Sequence, residues 1–352
     1  MELDKRIADK LLHWYSLCKR SLPWRRDQEP YHVWVSEIMC QQTRVEAAKA
    51  YYLRFLESLP TVEALASCSD DELHKLWEGL GYYSRAKNLK KAAEIIVRQY
   101  QGRFPSDYPS IRRLPGIGDY TAAAIASISF GLPCPAVDGN VLRVVTRLTA
   151  SRLDVSRQNT KAQIREALRP LYGAVSGGDL NQALMELGAL ICHPHHAPDC
   201  AACPLRDDCL SCGGLWQSIP VKPARKPRRE EAHTVFLLTC KDAWALSKRP
   251  DSGLLAGLWE FPNLPGELSL QEALDIAAAW GCCPRRALLH TERRHAFTHL
   301  EWKLPAFAIE CGEQAGPFLW ATLDDIRARY SLPTAFRQFI GFLDNDMKEN
   351  EL

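Results

Sequence analysis

The chain has 352 residues, 46% of them hydrophobic and 24% charged, with 44 Lys and Arg against 42 Asp and Glu. That length supports two or three domains with cores of their own, and the ordinary composition argues against a fibrous, low-complexity or disordered chain. No run of about eighteen apolar residues argues for a membrane span, and the charged N-terminus "MELDKRIADKLLHWY" lacks the apolar stretch of a signal peptide. An intracellular, monomeric protein is expected, in the cytoplasm or nucleoid if the cell is bacterial.

The charge is unevenly divided. Residues 1–229 hold 32 Lys and Arg against 24 Asp and Glu, whereas residues 230–352 hold 12 against 18. A basic first part points to an anionic partner.

Up to about residue 212 the apolar spacing is helical, with amphipathic segments expected at 3–18, 30–50, 61–67, 70–78, 84–100, 119–130, 138–149, 158–172 and 179–191. "LPW", "GLGYYS", "FPSDYPS" and "GLPCP" break them, and Ser69 caps the acidic start of 70–78. Residues 213–230, with Lys222, Arg225, Lys226, Arg228 and Arg229 among prolines, read as a basic extended linker. From about 231 to 345 the period shortens: "HTVFLLTC", "AWALSKRP", "ALLHTERRHAFTHLEW" and "KLPAFAIE" predict strands, with helices near 269–280 and 333–345. Residues 346–352 form a tail. The fold class is therefore an all-α domain over 1–212 followed by an α+β domain.

Within the helical part, "LPGIGDYTAAAI" joins Pro115, Gly116 and Gly118 to a helix starting near Asp119. Two glycines allow positive φ and close approach by another chain, and the free N–H groups of the first helical turn suit a phosphate oxygen. A dinucleotide fingerprint would need a preceding strand and a third glycine, where Thr121 stands. A helix–hairpin–helix gripping a DNA backbone fits better.

Two carboxyls stand out. Glu37, in "VWVSEIMCQQ", has mainly apolar neighbours, so burial can raise its pKa; Asp138, in "VDGN", sits where a helix N-cap belongs. Four of the thirteen cysteines crowd into Cys192, Cys200, Cys203 and Cys209. Such sets hold a [4Fe–4S] cluster or zinc, and Cys212 offers a rival zinc set of two C-x2-C pairs with Cys200, Cys203 and Cys209. His193, His195 and His196 lie in the same loop.

"LPGIGDYTAAAI" followed by "GLPCPAVDGNVLRV" resembles the hairpin and downstream aspartate of the helix–hairpin–helix DNA glycosylases. "PWRRDQEPYHVWVSEIMCQQTRV", "GLGYYSRAKNL" and "NQALMELGALIC" resemble the MutY-type adenine DNA glycosylases more narrowly, and the resemblance runs from about residue 8 to 345. It implies excision of adenine mispaired with 8-oxoguanine or guanine in duplex DNA. Glu37 would protonate the leaving base, Asp138 would stabilise the sugar cation, and Asn140 would orient Asp138. Tyr120 stands where related glycosylase/lyases place an imine-forming lysine, which implies a monofunctional enzyme with Tyr120 hydrogen-bonded near Asp138.

The same resemblance implies an adenine pocket of Trp24, Arg25 and Gln182. It makes Gln42 and Tyr82 wedges in the opened stack, with Thr43 and Leu80 beside the partner base. "GLLAGLWEFPNL" resembles part of a Nudix fold without the Nudix catalytic pattern, so a binding module is implied, with Phe297, Thr298 and His299 at the family's F-S-H contact to 8-oxoguanine. The family's cluster spacing is C-x6-C-x2-C-x5-C; here the first gap is seven residues, an extension that costs little closure entropy. Two rivals remain at this point: an endonuclease III-like glycosylase/lyase acting on oxidised pyrimidines, and a non-catalytic DNA-binding protein.

Overall fold

The computed structural model describes residues 3–173, 175–223 and 227–349. Of the expected basic linker, Arg225 and Lys226 lie outside the described residues, as do tail residues 350–352. The chain divides into two compact units: Met1–Ser67 with Lys87–Ala224, and Cys68–Ala86 with Arg225–Leu352. The short segment Cys68–Ala86, which the helical periodicity groups with the first domain, clusters instead with the second. No helix among the described residues is long and apolar enough to cross a membrane.

In the first unit, α1 (Arg6–Cys18), α2 (Pro30–Met39), α3 (Val45–Ser58) and α4 (Val62–Ser67) come first. The single helix expected over 30–50 is two. It breaks after Met39, and Gln42 takes a positive φ of 60° before α3 begins. After α5 (Asp70–Trp77), which clusters with the second unit, and α6 (Ser84–Tyr100), α7 (Tyr108–Arg113) leads through the glycine turn into α8 (Asp119–Phe130). Thr121 to Ile128 of α8 are all buried, because four alanines and a serine among them let helices approach on every side.

There follow α9 (Gly139–Leu148), α10 (Gln158–Leu168) and α11 (Gly177–Leu190). The helix expected over 158–172 tightens to a 3-10 turn at Arg169–Tyr172, where Pro170 removes a backbone donor. Apolar faces of α1, α9, α10 and α11 form one core that includes Leu205, with Cys192, Cys203 and Cys209 packed against it.

The second unit is a seven-stranded mixed sheet. Its order is β3 (Trp259–Glu260), β2 (Ala243–Lys248), β1 (Arg229–Cys240), β6 (Leu300–Cys311) and β5 (Pro284–Ala296), with β4 (Asn263–Pro265) on β1 and β7 (Leu319–Thr322) on β2. β1 and β6 run parallel and the other pairs antiparallel. Alternate residues of β1 serve two cores. Val235 and Leu237 meet α14 (Thr334–Glu349) through Phe336 and Phe339, while Phe236 and Leu238 meet α12 (Leu270–Ala279) through Ala273 and Ala277. Burial on both faces explains the unbroken apolar run "TVFLL". The stretch 287–302, expected as one strand, is a hairpin: β5 ends at Ala296, β6 starts at Leu300, and Phe297, Thr298 and His299 make the turn.

Candidate active site and cysteine loop

Glu37 stands on α2, whose other residues from Val33 to Met39 are buried. Burial pushes its carboxyl up to about 7; the negative charge of Asp138 adds to the rise, while a hydrogen bond from Tyr120 and the nearby Arg25 oppose it. The Tyr120 hydroxyl donates a short hydrogen bond to Glu37 Oε2 and lies 3.3 Å from Met185 Sδ. Burial, then the charges of Glu37 and Asp138, hold the Tyr120 phenol well above its ordinary pKa, so it remains a donor. Expected to hydrogen-bond near Asp138, Tyr120 has Glu37 as its partner, and the charge of Asp138 acts on the same phenol.

Asp138 is the N-cap of α9. Its Oδ1 accepts from the Val141 backbone N–H at 2.7 Å and its Oδ2 from Asn140 Nδ2 at 2.8 Å. Burial raises its pKa against these bonds. Asn140 Oδ1 accepts in turn from Arg143 at 2.9 Å. α11 passes so close that a Cβ on Gly188 would sit 2.6 Å from that of Asn140, so a glycine is needed there.

Of the three residues expected to form an adenine pocket, Gln182 stands on α11 and Arg25 is bonded to it. Gln182 accepts a hydrogen bond from the Tyr15 hydroxyl at 3.1 Å, and Glu186, one turn on, binds Arg25 at 2.9 Å and Arg20 at 2.8 Å. Burial works against ionisation of Glu186, but the hydrogen bonds from Arg20 and Arg25 hold its pKa down to about 2. The Arg25 guanidinium also lies over the Tyr15 ring, 5.5 Å from its centroid. Trp24 packs edge-on to Tyr52, 5.4 Å between centroids.

In the glycine turn, Gly116 has φ 76°, and a Cβ there would lie 2.6 Å from that of Asn88. Gly118 is the N-cap of α8. Arg112 clamps the turn by donating to Asp119 at 2.6 Å and to the Ile117 carbonyl at 2.9 Å. Gln42 and Thr43 follow the break after α2, with Gln42 exposed.

In the second unit, Tyr82 is 49% exposed with φ 47°, and its hydroxyl lies 3.0 Å from Thr298 Oγ1. Thr298 and His299 are exposed; Phe297 turns inward against Trp302, 4.9 Å between centroids. Leu80, expected beside the partner base, is only 7% exposed. Its carbonyl and that of Gly81 accept from Arg85 at 2.9 and 3.0 Å, which fixes the loop that presents Tyr82.

Cys192, Cys200, Cys203, Cys209 and Cys212 line one cavity with Arg147 and Trp216. Arg147 lies 3.3 Å from Cys192 Sγ and donates to carbonyls of His193, Trp216 and Ile219. Burial pushes the Cys203 thiol up to about 11. Among the described residues, no three His, Cys, Asp or Glu side chains converge on a point that a single ion would occupy. A ring of thiols around a common cavity is a donor set that suits a group bound through several thiolates, a cluster or zinc.

Arg143, Arg147, Glu186 and Tyr15 escape the sequence. The arginines leave a trace, since "VLRVVTRL" repeats Arg at i and i+4 on a helix buried all round.

A helical unit with a glycine hairpin, two desolvated carboxyls beside an α-helical N-cap and a cysteine loop defines the class of base-excision DNA glycosylases. The family described as "HhH-GPD superfamily base excision DNA repair protein" matches residues 35–170, and a Nudix domain matches 234–341. The thermostable thymine-DNA glycosylase structure shares 28% identity at TM-score 0.54, over 59% of this chain and 95% of that one.

Adenine DNA glycosylase of Homo sapiens is 37% identical, over 85% of this chain and 66% of that protein. The Schizosaccharomyces pombe enzyme is 32% identical over 84% and 80%, and that of Arabidopsis thaliana 36% over 90% and 55%. The chain belongs to the adenine DNA glycosylase family, and it spans just under two thirds of the human relative's length.

Proposed function

We propose that the chain releases adenine from duplex DNA where adenine is mispaired with 8-oxoguanine or guanine, by hydrolysis and without backbone cleavage. The observation that carries this is the carboxyl pair: Glu37 with its pKa near 7 and a hydrogen bond from Tyr120, and Asp138 held by Val141 and Asn140.

Near neutral pH a large share of Glu37 carries its proton. It passes that proton to N7 of the extruded adenine as the N-glycosidic electron pair moves onto the base. Asp138, with two donors fixing its orientation, faces the cationic sugar and stabilises it. Glu37, now a carboxylate, accepts a proton from the water that attacks C1′. Tyr120 cannot form an imine, so no lyase step follows.

Arg25 and Gln182 would hold the base, Trp24 would wall it, and Gln42, Thr43, Leu80 and Tyr82 would occupy or border the gap. The exposed Thr298 and His299, with Phe297 behind them, sit in a β-turn open to an opposite base; threonine keeps the hydroxyl of the family's serine. Cys192, Cys200, Cys203 and Cys209 would hold a [4Fe–4S] cluster, which ties the loop together when bound.

Labelled duplexes with adenine opposite 8-oxoguanine, guanine, cytosine or thymine, incubated and then treated with alkali, test the proposal. Strand breaks confined to the first two, and absent before alkali, are expected. Breaks before alkali at the rate of base release, with a borohydride-trapped adduct, would establish a lyase instead. No release from any duplex would leave a DNA-binding protein.

A further inference from the structure

We infer that Tyr15 sets the base specificity of the pocket by fixing which end of the Gln182 amide faces the extruded base. The inference rests on the proposal that Gln182 meets adenine.

Tyr15 is almost fully buried on α1, and its hydroxyl donates to Gln182 Oε1 at 3.1 Å. An amide has two faces of opposite character: the carbonyl only accepts and the NH2 only donates. A phenol is a better donor than acceptor, so pairing it with the carbonyl is the favoured arrangement. With the carbonyl occupied by Tyr15, the NH2 is the end of Gln182 left to meet a base.

The neighbouring groups hold Tyr15 in place. The Arg25 guanidinium covers its ring face, and Arg25 is itself locked to Glu186, one helical turn beyond Gln182. Burial pushes the Tyr15 phenol up to about 12, so the proton it donates is present throughout the working pH range. Tyr15 thus touches both residues proposed to hold the base and leaves one of them a single orientation.

A fixed donor selects among purines. Adenine presents an unprotonated N1 on its Watson–Crick edge, which accepts from the Gln182 NH2. Hypoxanthine and guanine present N1–H, and two donors facing each other leave both unpaired in a desolvated site, which costs more than a missing hydrogen bond. Without the Tyr15 hydroxyl the amide can rotate and offer its carbonyl to N1–H. Tyr15 is in this sense a positioning residue, acting through Gln182.

The test is single-turnover base release from duplexes carrying adenine or hypoxanthine opposite 8-oxoguanine. The proteins compared are the unmodified chain, Tyr15→Phe, Gln182→Leu and the double variant. Phenylalanine keeps the ring beneath Arg25, and a ratio of rates does not depend on the folded fraction. The adenine-to-hypoxanthine ratio is expected to fall roughly tenfold in Tyr15→Phe, the value of one hydrogen bond, and to fall no further in the double variant than in Gln182→Leu alone. A Tyr15→Phe variant that slows both substrates equally would overturn the inference, as would an equal effect of Tyr15→Phe with Gln182 already replaced. If the unmodified protein released no adenine, the proposed function would fail first and take this inference with it.

Discussion

Replacing Glu37 by Gln removes an ionisable group from a site that disfavours its charge, so the variant should gain stability while losing base release. The carboxyl moves from its usual 4.5 to about 7 in the folded protein. The folded state therefore binds this proton more tightly than the unfolded chain, and stability falls as pH rises between those values. At about 1.4 kcal/mol per pH unit, ionised Glu37 costs the fold up to about 3 kcal/mol above pH 7, and only about 1 kcal/mol at pH 5. Glutamine keeps a carbonyl for the Tyr120 hydroxyl and carries no charge.

Thermal unfolding of the helical unit should accordingly rise by roughly 5–10 °C in Glu37→Gln at pH 8, with the difference shrinking to a degree or two at pH 5. Base release should fall at least ~100-fold with the loss of the acid, while in the natural protein it should decline as pH rises above about 7. Equal melting of variant and natural protein at both pH values would refute the desolvated carboxyl, and with it the acid role.

Asp138→Asn keeps a good helix cap, so the melting temperature should move little while base release falls ~100- to 1,000-fold; duplex affinity by gel shift should stay close to natural. Gly116→Ala meets both a φ of 76° and the Asn88 Cβ at 2.6 Å, so it should cost about 1–3 kcal/mol of local strain. Its duplex affinity should weaken to a similar degree whatever base lies opposite adenine, because a phosphate contact carries no sequence information. Cys203→Ser should lower bound iron and sulfide measured per chain and reduce the melting temperature by several degrees, since that thiol packs on the core of α1, α9, α10 and α11.

Local chemistry made much of this legible before any coordinates. The glycine turn and the N-cap at Asp138 are short-range devices, written in four or five adjacent residues, and both formed as expected. The short apolar run in "HTVFLL" likewise foretold a strand. What failed was pairing over long range. The partner of Tyr120 lies 83 residues away on α2, and nothing in "GDYT" says which of two carboxyls it meets. The break after Met39 was hidden because a single positive-φ residue, Gln42, ends a helix without any Gly or Pro to announce it. The burial of Leu80 likewise depends on partners that only the folded unit supplies.

α9 links the carboxyl site to the cysteine loop. Its first turn carries Asp138 and Asn140, and its next two turns carry Arg143 and Arg147, each less than a tenth exposed. Two guanidiniums at that depth are costly unless every donor finds an acceptor. Arg143 donates to Asn140, the Gly188 carbonyl and the Cys192 carbonyl; Arg147 reaches the Cys192 sulfur and the carbonyls of His193, Trp216 and Ile219. The cysteine loop thus supplies acceptors to both buried cations of α9, and Arg143 ties the Cys192 carbonyl to Asn140, whose amide in turn donates to Asp138. Closure of the loop therefore bears on the orientation of Asp138 through two side chains, Arg143 and Asn140, and on no direct contact with the carboxyl.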